Sequence, residues 1–387
     1  MRVRRSFLGL ILVAAVGLVP AAQAHPPNGH HPPQVQTIAS RLDSPRHLAF
    51  DWRGNLYVAE AGEGGSAPCF FGGEGPACMG DSGAVTKISR HGQQTRVADH
   101  LASYANTPDN DNAIGPHGIT VIGDQVFVTN GGPTEPKVTP DGPTISRDEL
   151  VAQNDAAKWF GWLLRLRRPG QEPQMIADLW AFERDANPDA AEGNPAVDSN
   201  PVDVLFDGRR FVIADAGGNS INVVRPFSRQ ISNLAVFPNR AGVPGPGGPV
   251  DMQAVPTSVV MGPDHQYYVS QLTGFPFPVG GANIYRVDPR TGAVSVFASG
   301  FTNLMDLAFG PDGTLYALEI DHDGLLTADP NEGAIFALDK HGRQRQLELP
   351  AGSLPMPGGI TAGPGGLYVT INSGAKDAGK VVRISAR

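Results

Sequence analysis

Charge is scarce in this chain. Asp, Glu, Lys and Arg make up 18% of 387 residues, and the basic ones are the fewer, 30 against 38, for a net −8. That balance gives no electrostatic support for binding nucleic acid or an anionic membrane surface. After residue 24 no apolar run approaches the roughly 18 residues that a membrane-spanning helix needs. There is no G-x-S-x-G, no H-E-x-x-H and no phosphate-binding glycine loop, so the common hydrolase, zinc-protease and nucleotide signatures are missing. Only two cysteines occur, Cys69 and Cys78. A thiolate metal site or a redox pair would need a tighter C-x-x-C or more ligands. In an exported chain, an even and close pair reads as one disulfide.

Export is indicated by the start of the chain. MRVRR is followed by an apolar run from Phe7 to Pro20 and then Ala22-Gln23-Ala24. A basic start, a short apolar core and a small-x-small site describe a signal peptide over 1–24, with an uncleaved anchor as the alternative. The segment 25–33 reads as a flexible Pro/His-rich tail. Its His25, His30 and His31 offer a transition-metal chelate only if cleavage exposes the first of them. Residues 34–387 are expected to form a single domain, secreted or periplasmic.

Glycine and proline are plentiful, 48 and 35 residues, and they punctuate a repeat. One phrase recurs: Pro, two residues, an apolar strand, a Gly/Asp turn, a second strand and a polar residue. It appears at 45–60, 116–130, 201–215, 256–271, 304–319 (with Leu for Pro) and 357–371. A third strand follows each copy, at 83–89, 161–167, 221–226, 283–288, 333–339 and 379–385, and in five copies a fourth comes next. Four antiparallel strands repeated six times predict an all-β, six-bladed β-propeller. The sixth copy ends one strand short. VQTIAS (35–40) resembles the strands that close other blades, so the N-terminal strand is expected to complete the last blade and close the ring.

The connections are uneven. First-to-second and third-to-fourth turns are short. The others are long: 61–82, 131–160 with a helix expected over 147–160, 180–200, 239–255, 272–282 and 321–332. Long loops gathered on one face of a rigid scaffold are where binding or catalysis usually sits. The second strands end there in Glu60, Asn130, Asp215, Gln271 and Glu319, and the sixth breaks the pattern with Ile371 and Asn372. The first strands begin there near His47, His117, Asp203, Ser258 and Asp306. Such groups either hold a hard cation through oxygen or cap strand ends and loop amides. The Asp/Asn-rich crossing 108–115 lacks a full calcium-loop pattern and reads as a solvated turn.

The phrases SPRHLAFDWRGNLYVAEAG, PCFFGGEGPACMGDSGAVTKI, VDSNPVDVLF, ADAGGN, LAVFPNR, VPTSVVMGPD, QLTGFPFPVGGANIYRV and FTNLMDLAFGPDGTLYALE resemble the ScyD/ScyE family of exported propeller proteins. The resemblance spans nearly all of the mature chain. It implies an NHL-like six-bladed propeller and leaves the biochemical role undefined. The strand phrase is more distantly similar to gluconolactonase-type propellers, which hold a divalent metal in the channel with Glu, Asn and Asp and hydrolyse lactones. Glu60, Asn130 and Asp215, on successive blades, match that set.

Two functions follow as expectations. One is binding of a small molecule or an extracytoplasmic protein by a monomeric propeller. There Phe275 and Phe277, each followed by proline and so favouring an extended backbone, form an apolar wall, and Gln271 and Glu319 orient the ligand. The same phenylalanines could instead plug a gap between blades. The other function is metal-dependent, lactonase-like hydrolysis. A cation such as Ca²⁺ would be held by Glu60, Asn130 and Asp215, with His47, His117, Asp203 or Asp306 as base.

Overall fold

Each repeat folds as the phrase dictates. Apolar, β-branched and aromatic residues run in pairs of strands, and an aspartate in many of the turns ties the bend. Asp51 Oδ1 accepts from the amides of Arg53 and Asn55 at 2.9 and 2.8 Å, and Asp207, Asp264, Asp288, Asp312 and Asp339 make the same side-chain-to-amide bonds in their own turns. These bonds fix the turn locally and leave the strands free to pair. The computed structural model describes residues 33–387 apart from 73–74, 108–110, 134, 328–331 and 386–387. The expected signal peptide and nearly all of the tail, including His25, His30 and His31, lie outside the described residues.

The described chain is all-β, with two short helices. Five antiparallel sheets have four strands, one has six, and a two-stranded hairpin stands apart. The first sheet is built on Pro45–Phe50, Leu56–Glu60, Gly75–Ile88 and Gln94–Asn106. The second is Pro116–Ile122, Gln125–Asn130, Trp162–Arg165 and Gln174–Asp178. The third is Pro201–Phe206, Phe211–Asp215, Ser220–Val224 and Ile231–Val236. The fourth is Pro256–Met261, Tyr267–Gln271, Ala282–Val287 and Val294–Phe301. The fifth is Leu304–Phe309, Leu315–Glu319, Ala334–Leu338 and Gln344–Gln346. The sixth is Gly359–Gly363, Gly366–Ile371 and Gly379–Ser385, joined by Gln34–Leu42. Gln34 stands opposite Ser385 and Leu42 opposite Gly379, so the N-terminal strand pairs with the last one. Cores of buried apolar side chains lie between neighbouring sheets, as with Val202, Val212, Phe237, Val259 and Tyr267 between the third and fourth.

The long connections are more structured than expected. The 61–82 segment is not a plain loop. Gly75–Ile88 is one long strand, and Cys69–Gly72 pairs with it, placing Cys69 opposite Cys78 in the disulfide. The helix expected over 147–160 stops at Gln153, where Asn154 caps a separate 3-10 turn, Asp155–Trp159, through its side chain. Helix Leu179–Ala186 was not foreseen, because its eight residues lie in a crossing dominated by turn formers. The Gly/Pro-rich 239–255 contains a hairpin, Arg240–Gly245 with Gly248–Met252. The part of 108–115 that is described is not a turn but a short strand, Asp111–Ile114, against Gln94–Asn106.

Leu42, at the end of the N-terminal strand, is 1% exposed. Leu42→Ala should lower the unfolding free energy in urea by about 2–4 kcal/mol, the usual cost of emptying such a site. A loss well under 1 kcal/mol would show that this strand is not an integral part of its sheet.

Candidate functional site

Four side chains expected as base candidates meet. His47, His117, Asp203 and Asp306 each sit two or three residues into the first strand of their own sheet, and each is 3–7% exposed. His47 Nδ1 lies 3.0 Å from Asp203 Oδ1, and its Nε2 lies 3.9 Å from Asp306 Oδ2. Both are ion-pair contacts out of line for a hydrogen bond, since neither ring nitrogen has an aligned partner. The His117 ring stands edge-on to His47 with centroids 5.3 Å apart. Among the described residues, His47, Asp203 and Asp306 alone bring three metal-ligand-type atoms within 4.8 Å of one another.

The two aspartates also bind the remaining sheets. Asp203 Oδ2 accepts from the Val259 amide of the fourth sheet at 2.8 Å. Asp306 Oδ1 accepts from Ser258 Oγ of the fourth at 2.6 Å, and Oδ2 accepts from the Ile360 amide of the sixth at 2.7 Å. Six sheets therefore meet in one polar hub. The strands can approach this closely because a glycine faces the polar residue across the gap. A Cβ on Gly118 would overlap the Asp203 backbone, and one on Gly359 would sit 2.9 Å from His47 Cα.

Opposite charges meet inside the hub. Burial works against a charged His47, but the carboxylates of Asp306 and Asp203 outweigh it and push the imidazole up to about 9. Burial raises Asp306 to about 6 in spite of His47. For His117, burial and then the charges of Arg46 and His47 push the pKa well below the ordinary histidine range. The hub thus favours the charged form of His47 and the uncharged form of His117, whose two buried nitrogens have no hydrogen-bond partner.

The second-strand ends, also all buried, serve the crossings. The register places Pro45 opposite Glu60, Pro116 opposite Asn130, Pro201 opposite Asp215, Pro256 opposite Gln271 and Leu304 opposite Glu319. Each carboxylate then takes a backbone amide from the chain about to enter its own sheet: Glu60 from Asp43 at 2.9 Å, Asp215 from Asn200 at 2.7 Å, and Glu319 from Thr302 at 2.7 Å. Glu60 is also 3.4 Å from Arg96 Nη1, and Asp215 takes Ser199 Oγ and the Gly218 amide as well. Burial lifts Asp215 to about 6 and raises Glu60 and Glu319 too. Gln271 Oε1 accepts from Asn283 and Tyr285, and Asn130 Nδ2 donates to Ala102 and Gly131 carbonyls.

Phe275 and Phe277 line a cavity of about 510 Å³ between the 196–200 crossing, the turn at Ala216–Gly217, the hairpin residues Val250 and Asp251, and the loop 272–277. Gln271 and Glu319 are not in its wall. Phe275 is half exposed, and the two rings meet edge to face at 6.4 Å. The expected extended backbone fails at Phe277, which has a φ of 52°. Its amide closes a turn onto Gly274 O at 3.0 Å, and that bond overrides the pre-proline preference. Left-handed backbone is uncommon for a bulky residue and clusters at functional sites. The polar wall residues Asp198, Asp251, Gln253 and Thr273 were missed, because they belong to crossings whose folding the repeat does not specify.

Propeller proteins are the structural neighbours of this chain. A protein of unknown function from Bacteroides thetaiotaomicron has a TM-score of 0.53 at 12% identity, covering 91% of this chain and 76% of its own. A gluconolactonase from Xanthomonas campestris has 0.51 at 11%, covering 91% and 90%. A virginiamycin B lyase from Staphylococcus aureus has 0.48 at 14%, covering 91% and 99%. At such identities the likeness is one of fold. No family model and no curated protein matches the chain, so the ScyD/ScyE resemblance stands on its sequence phrases.

His47→Gln would leave Asp203 and Asp306 buried without their cation and should cost about 3–5 kcal/mol. A raised histidine pKa stabilises the fold fully below its unfolded value, near 6.5, and that contribution is lost as pH rises through about 9. Urea unfolding of the native protein should therefore lose stability between those two pH values, while His47→Gln stays flatter over the same window. Parallel curves would rule out a charged His47.

Proposed function

We propose that the chain is an exported six-bladed β-propeller, closed by its N-terminal strand, that binds a small molecule in the loop-face cavity beside Phe275 and Phe277. Six sheets and the contact of each first strand with the next, the sixth returning to the first, support the closed ring. The disulfide, and the absence of any described helix long and apolar enough to cross a membrane, are consistent with an extracytoplasmic location.

The observation that carries the binding reading is the cavity itself. At about 510 Å³ it is in the range of small-molecule sites, roughly 300–1,000 Å³. Its wall combines apolar side chains (Phe275, Phe277, Val250, Val255, Leu272) with Asp198, Asp251 and Gln253. That mixture suits a ligand with an apolar body and a hydroxyl or amine that donates to the carboxylates. A hollow of about 350 Å³ near Trp180 is less suited, because its central cation, Arg147, is already held bidentately by Asp178.

A metal-dependent hydrolase is the second reading, favoured by the His47, Asp203 and Asp306 group. One nitrogen and two carboxylates suit a borderline divalent ion such as zinc, which would polarise a carbonyl. His117, with unpartnered nitrogens beside the group, does not itself come within the 4.8 Å that joins the other three. A proton on His47 competes with the ion, and the burial of all four side chains keeps a lactone out. Glu60, Asn130 and Asp215 fit a cation less well, since Glu60 is paired with Arg96 and Asp215 already accepts three hydrogen bonds.

A thermal-shift screen of small hydroxylated and aminated apolar compounds tests the binding reading. Compounds that stabilise the native protein should bind Phe277→Ala about tenfold more weakly, the loss of an aromatic contact worth about 1 kcal/mol or more. Phe275→Ala, at a half-exposed position, should change stability by less than about 1 kcal/mol. Hits that ignore both substitutions would place the ligand elsewhere. A bound divalent metal that is lost in Asp203→Asn would favour the hydrolase instead.

A further inference from the structure

The crossing from the second to the third sheet gathers carboxylates over one turn. Glu183, on helix Leu179–Ala186, is 1% exposed, and both its carboxylate oxygens lack a hydrogen-bond partner. It points at the turn that follows Asp215: a Cβ added to Gly218 would lie 2.8 Å from Glu183 Oε2. Asp189, also 1% exposed, reaches the same turn. Its Oδ2 accepts from Asn219 Nδ2 at 2.8 Å, and its Oδ1 has no partner. Asp198 comes in from the other side, with Oδ1 against Gly217, where any Cβ would collide with it. Asp215 Oδ1 accepts from the Gly218 amide at 3.2 Å and holds the turn itself.

Burial first, and then the carboxylates of Asp215, Asp189 and Asp198, push Glu183 up to about 8. Among the described residues no ion pair reaches Glu183, Asp189 or Asp215, although fifteen are formed elsewhere. Buried carboxylates with no base beside them are costly. A carboxylate with two buried, unpartnered oxygens, aimed at a turn that Asp189, Asp198 and Asp215 also reach, is a ligand set in search of a cation.

We propose that Glu183, Asp189 and Asp198, backed by Asp215, bind a calcium ion at this turn. All the donors are oxygen, with no imidazole or thiolate among them, which selects a hard cation. They come from separate segments of an irregular crossing, and such a set suits the flexible geometry of calcium better than the strict octahedron of magnesium. The oxygens do not yet form a closed shell: three of them do not come within 4.8 Å of one another, as the His47 group does. Binding an ion would draw them together. Asp198 and Gly217 also line the ligand cavity, so the ion would stiffen its back wall.

The test uses the full chain, stripped with EGTA and titrated with CaCl₂ in a calorimeter, with thermal unfolding followed in parallel. The expected result is saturable binding at a single site, with a Tm that rises with calcium. Glu183→Gln and Asp189→Asn should each weaken binding about tenfold or more, because calcium affinity follows the number of charged ligands. Phe277→Ala should bind calcium like the native protein, which separates this site from the ligand cavity. No heat and no Tm shift in the native protein would overturn the proposal. So would calcium binding that survives both substitutions, or magnesium binding of equal strength. If Glu183→Gln does not fold, Asp189→Asn and the native titration decide the matter.

Discussion

One buried histidine, flanked by two carboxylates, stands where the first strands of the sheets meet. His47 of the first sheet stands between Asp203 of the third and Asp306 of the fifth. The same two carboxylates take amides or hydroxyls from the fourth and sixth, and His117 brings in the second. Sheets that twist around an axis present their first strands edge-inward, and those strands have no room for large apolar side chains where they converge. Short polar groups can meet there, but burial makes each of them costly unless its charge and hydrogen bonds are answered. A histidine between two carboxylates answers the charge, and each carboxylate takes a hydrogen bond from the next sheet.

This arrangement divides the molecule into a rigid axis and an adaptable rim. The strand-end carboxylates extend the rigid part outward, since Glu60, Asp215 and Glu319 each clamp the chain that enters their own sheet. Loops anchored so firmly at their bases can carry irregular structure between them. That is where the hairpin at 240–252, the helix at 179–186 and the turn that forces Phe277 into left-handed backbone are found. The cavity lies between that hairpin and the turn at Phe277, and none of the four hub side chains lines it.

The repeat made the sheets legible. The recurring phrase and its turn residues placed the first and second strands of every sheet within two or three residues, and the unpaired strand at the start found its partner in the last sheet. Residue type at equivalent repeat positions marked the starts of the first strands as a polar set, but not that His47, His117, Asp203 and Asp306 close into one buried group apart from the second-strand ends. The rest was written in contacts between segments that do not repeat. Nothing in PCFFGGEGPACMG announces that its second half continues a fourteen-residue strand, because that pairing depends on Gln94–Asn106 lying alongside. Phe275 and Phe277 were visible as unusual residues, but not the hairpin and crossing that face them.

Polar residues that converge in sequence register are therefore poor evidence of chemistry by themselves. Any close meeting of strand ends must collect such residues and satisfy them, and Gln271, Glu319 and Asp215 show how fully that can be done by loop amides, hydroxyls and neighbouring side chains. The discriminating feature is a buried polar atom that the fold leaves unanswered. By that measure the strand-end set mostly closes on itself, whereas His117 and Glu183 do not. A structure that meets the needs of so many buried carboxylates from within has the means to meet those of Glu183. That it does not directs attention to the crossing at 183–198, where no repeat rule required an acid at all.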